Sequence, residues 1–113
     1  MTRPLIYVSG PITLGCQATN VGTAIAVGRQ IWDVGGAPFI PHLSWFLHWH
    51  DLTIEDWLSI DFQIIPNCKA MFRIPGESKG SDAECELAKS RGIPIFHDIE
   101  ELRLWISKHA SDK

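Results

Sequence analysis

Apolar and polar positions along the chain fall into short blocks that switch between a strand period and a helix period. Leu5 to Val8 is an apolar run that ends at Ser9-Gly10-Pro11, which reads as a strand entering a turn. Asn20 is placed to cap a helix running to about Val34, with Ala24, Val27, Ile31 and Val34 at helical spacing and Gly35-Gly36 as its stop. Ala37 to Ile40 follows as a second strand, and Pro38 assigns it to an edge. Thr53 opens a second helix, with Glu55 and Asp56 in the first turn where the helix dipole favours them, and Pro66-Asn67 ends it. Its apolar positions are Ile54, Trp57, Leu58, Phe62 and Ile65. Ala70 to Ile74 is a third strand and Pro75 to Gly80 a polar loop. A helix from Ser81 to Arg91 follows, stopped by Gly92. Ile93 to Phe96 is a fourth strand. Ile99 to about His109 is a closing helix with Leu102, Trp105 and Ile106 on one side.

The order β-α-β-α-β-α-β-α predicts an α/β fold. We expect one domain over residues 1–113, a three-layer sandwich with a parallel four- to five-stranded sheet, flavodoxin-like or Rossmann-like. Such sheets bind ligands beyond the carboxyl ends of their strands. The polar segments Ser9 to Asn20 and Pro75 to Ser81 both follow strands, so chemistry is sought there.

Composition narrows the function classes. The 113 residues carry a net charge of −3, which argues against binding a nucleic acid polymer, though a few backbone amides could still hold one small anion. Cys16, Cys68 and Cys85 are odd in number and show no CxxC spacing, which fits free thiols in a reducing compartment. The residues before Leu5 are too few and too soon polar for a signal peptide, and no run approaches the ~18 apolar residues of a membrane span. A cytoplasmic protein without a membrane partner is expected.

Two carboxylates stand out. Asp61 lies four residues after Trp57, on or beside the apolar stripe of its helix, where lost solvation would raise its pKa. The structural alternative is a cap or a pair with Arg73. Glu84 stands where a glycine-bearing loop enters a helix, a place suited to anions. On spacing alone, Ser81-x-x-Glu84 fits a capping box better than a reactive group, and a carboxylate in a first turn stays ionised. The Tyr7-Val8-Ser9-Gly10-Pro11-Ile12 segment gives a hydroxyl and a glycine at a strand end but is neither a Walker loop nor GxGxxG. His42, His48, His50 and Asp51 could bind a metal, although Trp45, Phe46 and Trp49 around them favour a packed lid or an interface. Trp45, Trp49 and Trp57 read first as core. Left partly exposed, they could stack on a base or cover a subunit contact.

Taken in order, these segments resemble the nucleoside 2-deoxyribosyltransferase superfamily, and its short bacterial and phage members of unknown function in particular. The resemblance rests on Tyr7 to Ile12, Phe39-Ile40-Pro41-His42-Leu43, Glu55-Asp56-Trp57-Leu58 leading to Asp61, and Pro75 to Glu84 followed by Gly92-Ile93-Pro94. It implies cleavage or transfer of an N-glycosidic bond on a deoxynucleoside, or on a nucleoside 5′-monophosphate as in the related N-hydrolases. By that resemblance Glu84 is the nucleophile, Asp61 assists the leaving base and Tyr7 sits beside Glu84. Ser9, Gly10, Pro11, His42, Ser78 and Gly80 hold the sugar or a phosphate. Asp82 stands where the nucleotide hydrolases usually carry glycine. No cofactor is implied, and a homodimer or larger homo-oligomer is expected. The rivals are a non-catalytic nucleotide-binding module on the same fold and a metal-dependent hydrolase built on His42, His48 and His50.

Overall fold

A computed structural model describes residues 3–47, 49 and 51–110. The sheet has four parallel strands: β1 (Leu5–Ser9), β2 (Ala37–Phe39), β3 (Ala70–Arg73) and β4 (Ile95–Phe96). Their spatial order is β2-β1-β3-β4, so the fold is an α/β sandwich of flavodoxin-like type. Four helices cover it: α1 (Gln17–Asp33), α2 (Ile54–Ile64), α3 (Lys79–Ser90) and α4 (Ile99–Ala110). Pro38 lies on edge strand β2, where its missing N–H breaks no ladder between central strands.

β1 is buried on both faces, which explains its unbroken apolar run. Ile6 and Val8 face one layer with Ala70 and Phe72 of β3, Ala24 and Ile31 of α1, and Leu102 and Ile106 of α4. Tyr7 faces the other layer with Met71, Ile65 and Ala88. The period-2 alternation of β1 therefore sends Tyr7 and Ser9 toward α3, while its aliphatic residues fill the opposite core.

Two helix starts differ from the sequence expectation. Helix α1 begins three residues before Asn20, with Cys16 as cap. The Asn20 side chain instead donates to the carbonyls of Ile12 and Leu14, at 3.0 and 2.7 Å, and ties down the loop after β1. Helix α3 begins at Lys79, with Ser78 as its cap; Ser78 Oγ accepts from the Ser81 amide at 3.1 Å. The proposed Ser81–Glu84 capping box therefore does not form, because Glu84 stands in the second turn, beyond the orphan amides. The Thr53 cap is present as a full capping box with Asp56. On α2, Ile54 and Phe62 lie exposed rather than in the core. The inward side is Trp57, Leu58, Asp61 and Ile64, all half-buried.

Gly36 stands where β1, α1 and α4 meet. A Cβ there would come within 2.7 Å of Ile31 Cγ2 and 3.0 Å of Ile6 Cγ1. Gly36→Ala should therefore cost about 1–3 kcal/mol through overpacking. Gly22, exposed on α1 with nothing within 4 Å of such a Cβ, should give the opposite sign, with Gly22→Ala gaining about 0.5–1 kcal/mol. Urea unfolding of the two variants checks both signs, and two shifts in the same direction would contradict the packing described.

Candidate active site

The site is built at the switch point of the sheet, between β1 and β3. Ser81, Glu84 and Ala88 form the buried stripe of α3, at spacings of three and four residues. A glutamate thus occupies a position that packing alone would give to an apolar residue, and it is only 6% exposed. Both of its oxygens are held by β1. The Tyr7 hydroxyl donates to Glu84 Oε2 at 2.7 Å, and Ser9 Oγ donates to Oε1 at 2.7 Å. Tyr7 is fixed in turn by stacking on Phe39, its register partner on β2, at 5.8 Å between ring centroids.

Burial pushes the Glu84 carboxyl up to about 7, against the opposing hydrogen bonds from Tyr7 and Ser9, and the nearby Asp61 adds to the rise. The position in the second turn thus replaces the expected dipole-stabilised ionisation with a group poised near neutrality. Asp61 is also raised by burial, with Glu84 and Tyr7 opposing that rise. The Tyr7 phenol is raised by burial and then by the two carboxylates, so it stays a donor. Between the ordinary glutamate range and about pH 7 the folded chain holds a proton that the unfolded chain releases. Stability therefore falls as pH rises through that window.

Glu84 and Asp61 open onto one cavity of about 580 Å³. Its polar end is Gly10, Pro11 and His42 on one side and Glu77 to Ser81 on the other; its apolar end includes Leu14, Trp45, Trp49, Ile54 and Trp57. Of the candidate residues from the sequence, Glu84, Asp61, Gly10, Pro11, His42, Ser78 and Gly80 all line this cavity. Tyr7 and Ser9 do not; they stand behind Glu84 and hold it. Sequence reasoning missed Ser81, whose buried Oγ has no hydrogen-bond partner among the described residues, and Lys79, which lines the same cavity. The sign that could have revealed Ser81 was Ser78, an earlier and equally good cap. Asp82 points elsewhere: it reaches Arg73 at 3.5 Å across a separate groove on the other side of α3. Its charge is therefore not part of the cavity wall, and the Arg73 partner considered for Asp61 belongs to Asp82.

His42 is 1% exposed, and burial lowers its pKa. Its Nε2 faces the carbonyls of Gly10 and Pro11, each at 3.2 Å, so the neutral ring donates there and ties the Pro41–Leu47 turn to the loop after β1. His48 and His50, the other residues of the metal alternative, lie outside the described residues. Among the described residues no three His, Cys, Asp or Glu side chains converge as a metal site. No helix among them is long and apolar enough to cross a membrane.

The comparisons with known proteins agree with this architecture. A solved structure of the 2-deoxyribosyltransferase from Bacillus psychrosaccharolyticus is similar in fold, with a TM-score of 0.62 at 18% identity, over 80% of this chain and 69% of that one. No curated protein matches the sequence. A family model matches residues 4–97, which include both carboxylates, β1 and the whole of α3. The chain therefore belongs to the family described as Domain of unknown function (DUF4406).

Proposed function

We propose that this protein cleaves or transfers an N-glycosidic bond of a 2-deoxynucleoside or its 5′-monophosphate through a glycosyl-enzyme intermediate on Glu84. The observation that carries this reading is the grip of Tyr7 and Ser9 on a buried glutamate facing a cavity beside a second carboxyl group. A retaining mechanism needs one ionised carboxylate and one acidic group on the leaving-group side. Glu84, with both oxygens oriented, attacks the anomeric carbon; the C–N bond breaks, and the base leaves with a proton from Asp61. Water or a second base then takes the sugar from Glu84. Gly10, Pro11, Ser78, Gly80 and Lys79 are disposed around the sugar end, and the start of α3 offers amides to a 5′-phosphate. The similar fold of a 2-deoxyribosyltransferase supports the choice of substrate.

A panel of 2-deoxynucleosides and their monophosphates, followed by release of free base, tests this. We expect turnover of at least one, reduced about 1,000-fold or more by Glu84→Gln and about 100- to 10,000-fold by Asp61→Asn. No release from any of them, or release that survives Glu84→Gln, rejects the reading. Nucleotide binding without turnover in the wild-type protein would favour the non-catalytic module.

The pH profile should follow Glu84. Attack needs Glu84 ionised while the Glu84–Asp61 pair keeps one proton for the base, so kcat/KM should fall on the alkaline side as that last proton is lost near pH 7. Tyr7→Phe removes a hydrogen bond that favours the ionised form of Glu84 and should move that limb to higher pH. A limb that stays in place or moves to lower pH would contradict these assignments.

Leu43, Phe46 and Leu47 on the Pro41–Leu47 turn, with Ile60 and Phe62 on α2, lie exposed outside the cavity wall. This exposed apolar area supports self-association. Light scattering during gel filtration should give a mass of at least two chains at micromolar concentration, and a clean monomer would count against it.

A further inference from the structure

The geometry points to a specificity built into the apolar end of the cavity: the leaving base lies on a wall made by Trp57 and Trp49, and bases carrying an apolar substituent are preferred. This inference rests on the glycosidic reading of Glu84. Trp57 and Asp61 are one turn apart on α2, so their side chains share a face, and both line the cavity with Glu84. A base bonded to the carbon that Glu84 attacks, and protonated by Asp61, extends from Asp61 along α2 over Trp57.

Trp57 does not stand alone. Trp49 stacks on it with ring centroids 6.0 Å apart and an angle of 19° between the planes. Among the described residues from Trp49 to Asp61, the cavity wall is Trp49, Leu52, Ile54, Trp57 and Leu58, with Asp61 as the one carboxylate. Such a wall holds a flat ring by stacking and area and does not read the hydrogen-bonding edge of the base, so it tolerates different bases. Trp49 and Ile54 are 54% and 59% exposed, and Leu14, which lines the same cavity, is 54% exposed. These exposed apolar groups share the cavity with Trp57, and a substituent on the base would cover them. A covered methylene should tighten binding about fourfold.

The test uses Glu84→Gln, which separates binding from turnover, and a series of 2-deoxyuridines bearing hydrogen, methyl, propynyl or phenyl at C5. The series adds apolar area while leaving the pairing edge of the base unchanged. Calorimetry should show affinity rising along the series, at least tenfold from hydrogen to phenyl, with quenching of tryptophan fluorescence. Trp49→Ala in the same background should weaken binding of the whole series and remove most of the gain from hydrogen to phenyl. Trp49 is largely exposed, so the variant should fold, and an unchanged circular dichroism spectrum verifies this. Flat or falling affinity along the series, or a gain that survives Trp49→Ala, overturns the wall. Base release by the wild-type protein with flat affinities would overturn this inference alone. Absence of release together with a Trp49-dependent gain would overturn the glycosidic reading and leave the aromatic wall standing. Binding of no nucleoside at all overturns both.

Discussion

A glutamate packed between a helix and a central strand is the constraint on which the rest of this molecule depends. Burying a carboxylate is costly unless its oxygens are satisfied, and Glu84 meets that cost with hydroxyls from two residues of one strand. β1 must therefore present Tyr7 and Ser9 on the α3 side while Ile6 and Val8 fill the core on the other. Phe39 must support the Tyr7 ring, and α3 must start early enough to bring its second turn over the strand end. The hydrogen bonds favour the charged carboxylate and burial opposes it. The balance leaves the Glu84 carboxyl near neutrality beside a second buried carboxyl group, Asp61.

The same arrangement divides the cavity. One end is backbone and small polar side chains at strand ends and a helix start, suited to hydroxyls or an anion. The other is indole and aliphatic surface from α2 and the segment before it, suited to a flat ring. Glu84 and Asp61 line the same cavity as both kinds of surface. His42 joins the two sides: its Nε2 fastens the Pro41–Leu47 turn to the Gly10-Pro11 carbonyls, so the loop after β1 and that turn are held together.

Much of the fold was legible in the residues. The apolar run of β1, the edge proline of β2, the Thr53 capping box and the Gly35-Gly36 stop are local signals, and each acts through φ/ψ preference or period over a few residues. The starts of α1 and α3 were not legible. Asn20 and Ser81 are good caps by composition, but a cap is decided by competition: Cys16 and Ser78 took those places, and Asn20 instead serves two loop carbonyls. Ile54 and Phe62 fit an apolar stripe by spacing, yet the stripe that packs inward is set by how α2 lies against α3, and both remain exposed.

The candidate site divides in the same way. The sequence by itself determined that the loops Ser9 to Asn20 and Pro75 to Ser81 would meet at one edge of a parallel sheet, because strand–helix alternation places every strand end there, and the family resemblance added Glu84, Asp61 and Tyr7 to that edge. It could not determine the state of Glu84. A shift of three residues in the start of α3 moves that side chain from an exposed first turn to a buried second turn, and with it from a capping group to a carboxyl held near neutrality by Tyr7 and Ser9. Solvation and hydrogen bonds between residues 75 and 77 positions apart in the chain belong to the packed molecule, and only tertiary structure decides them.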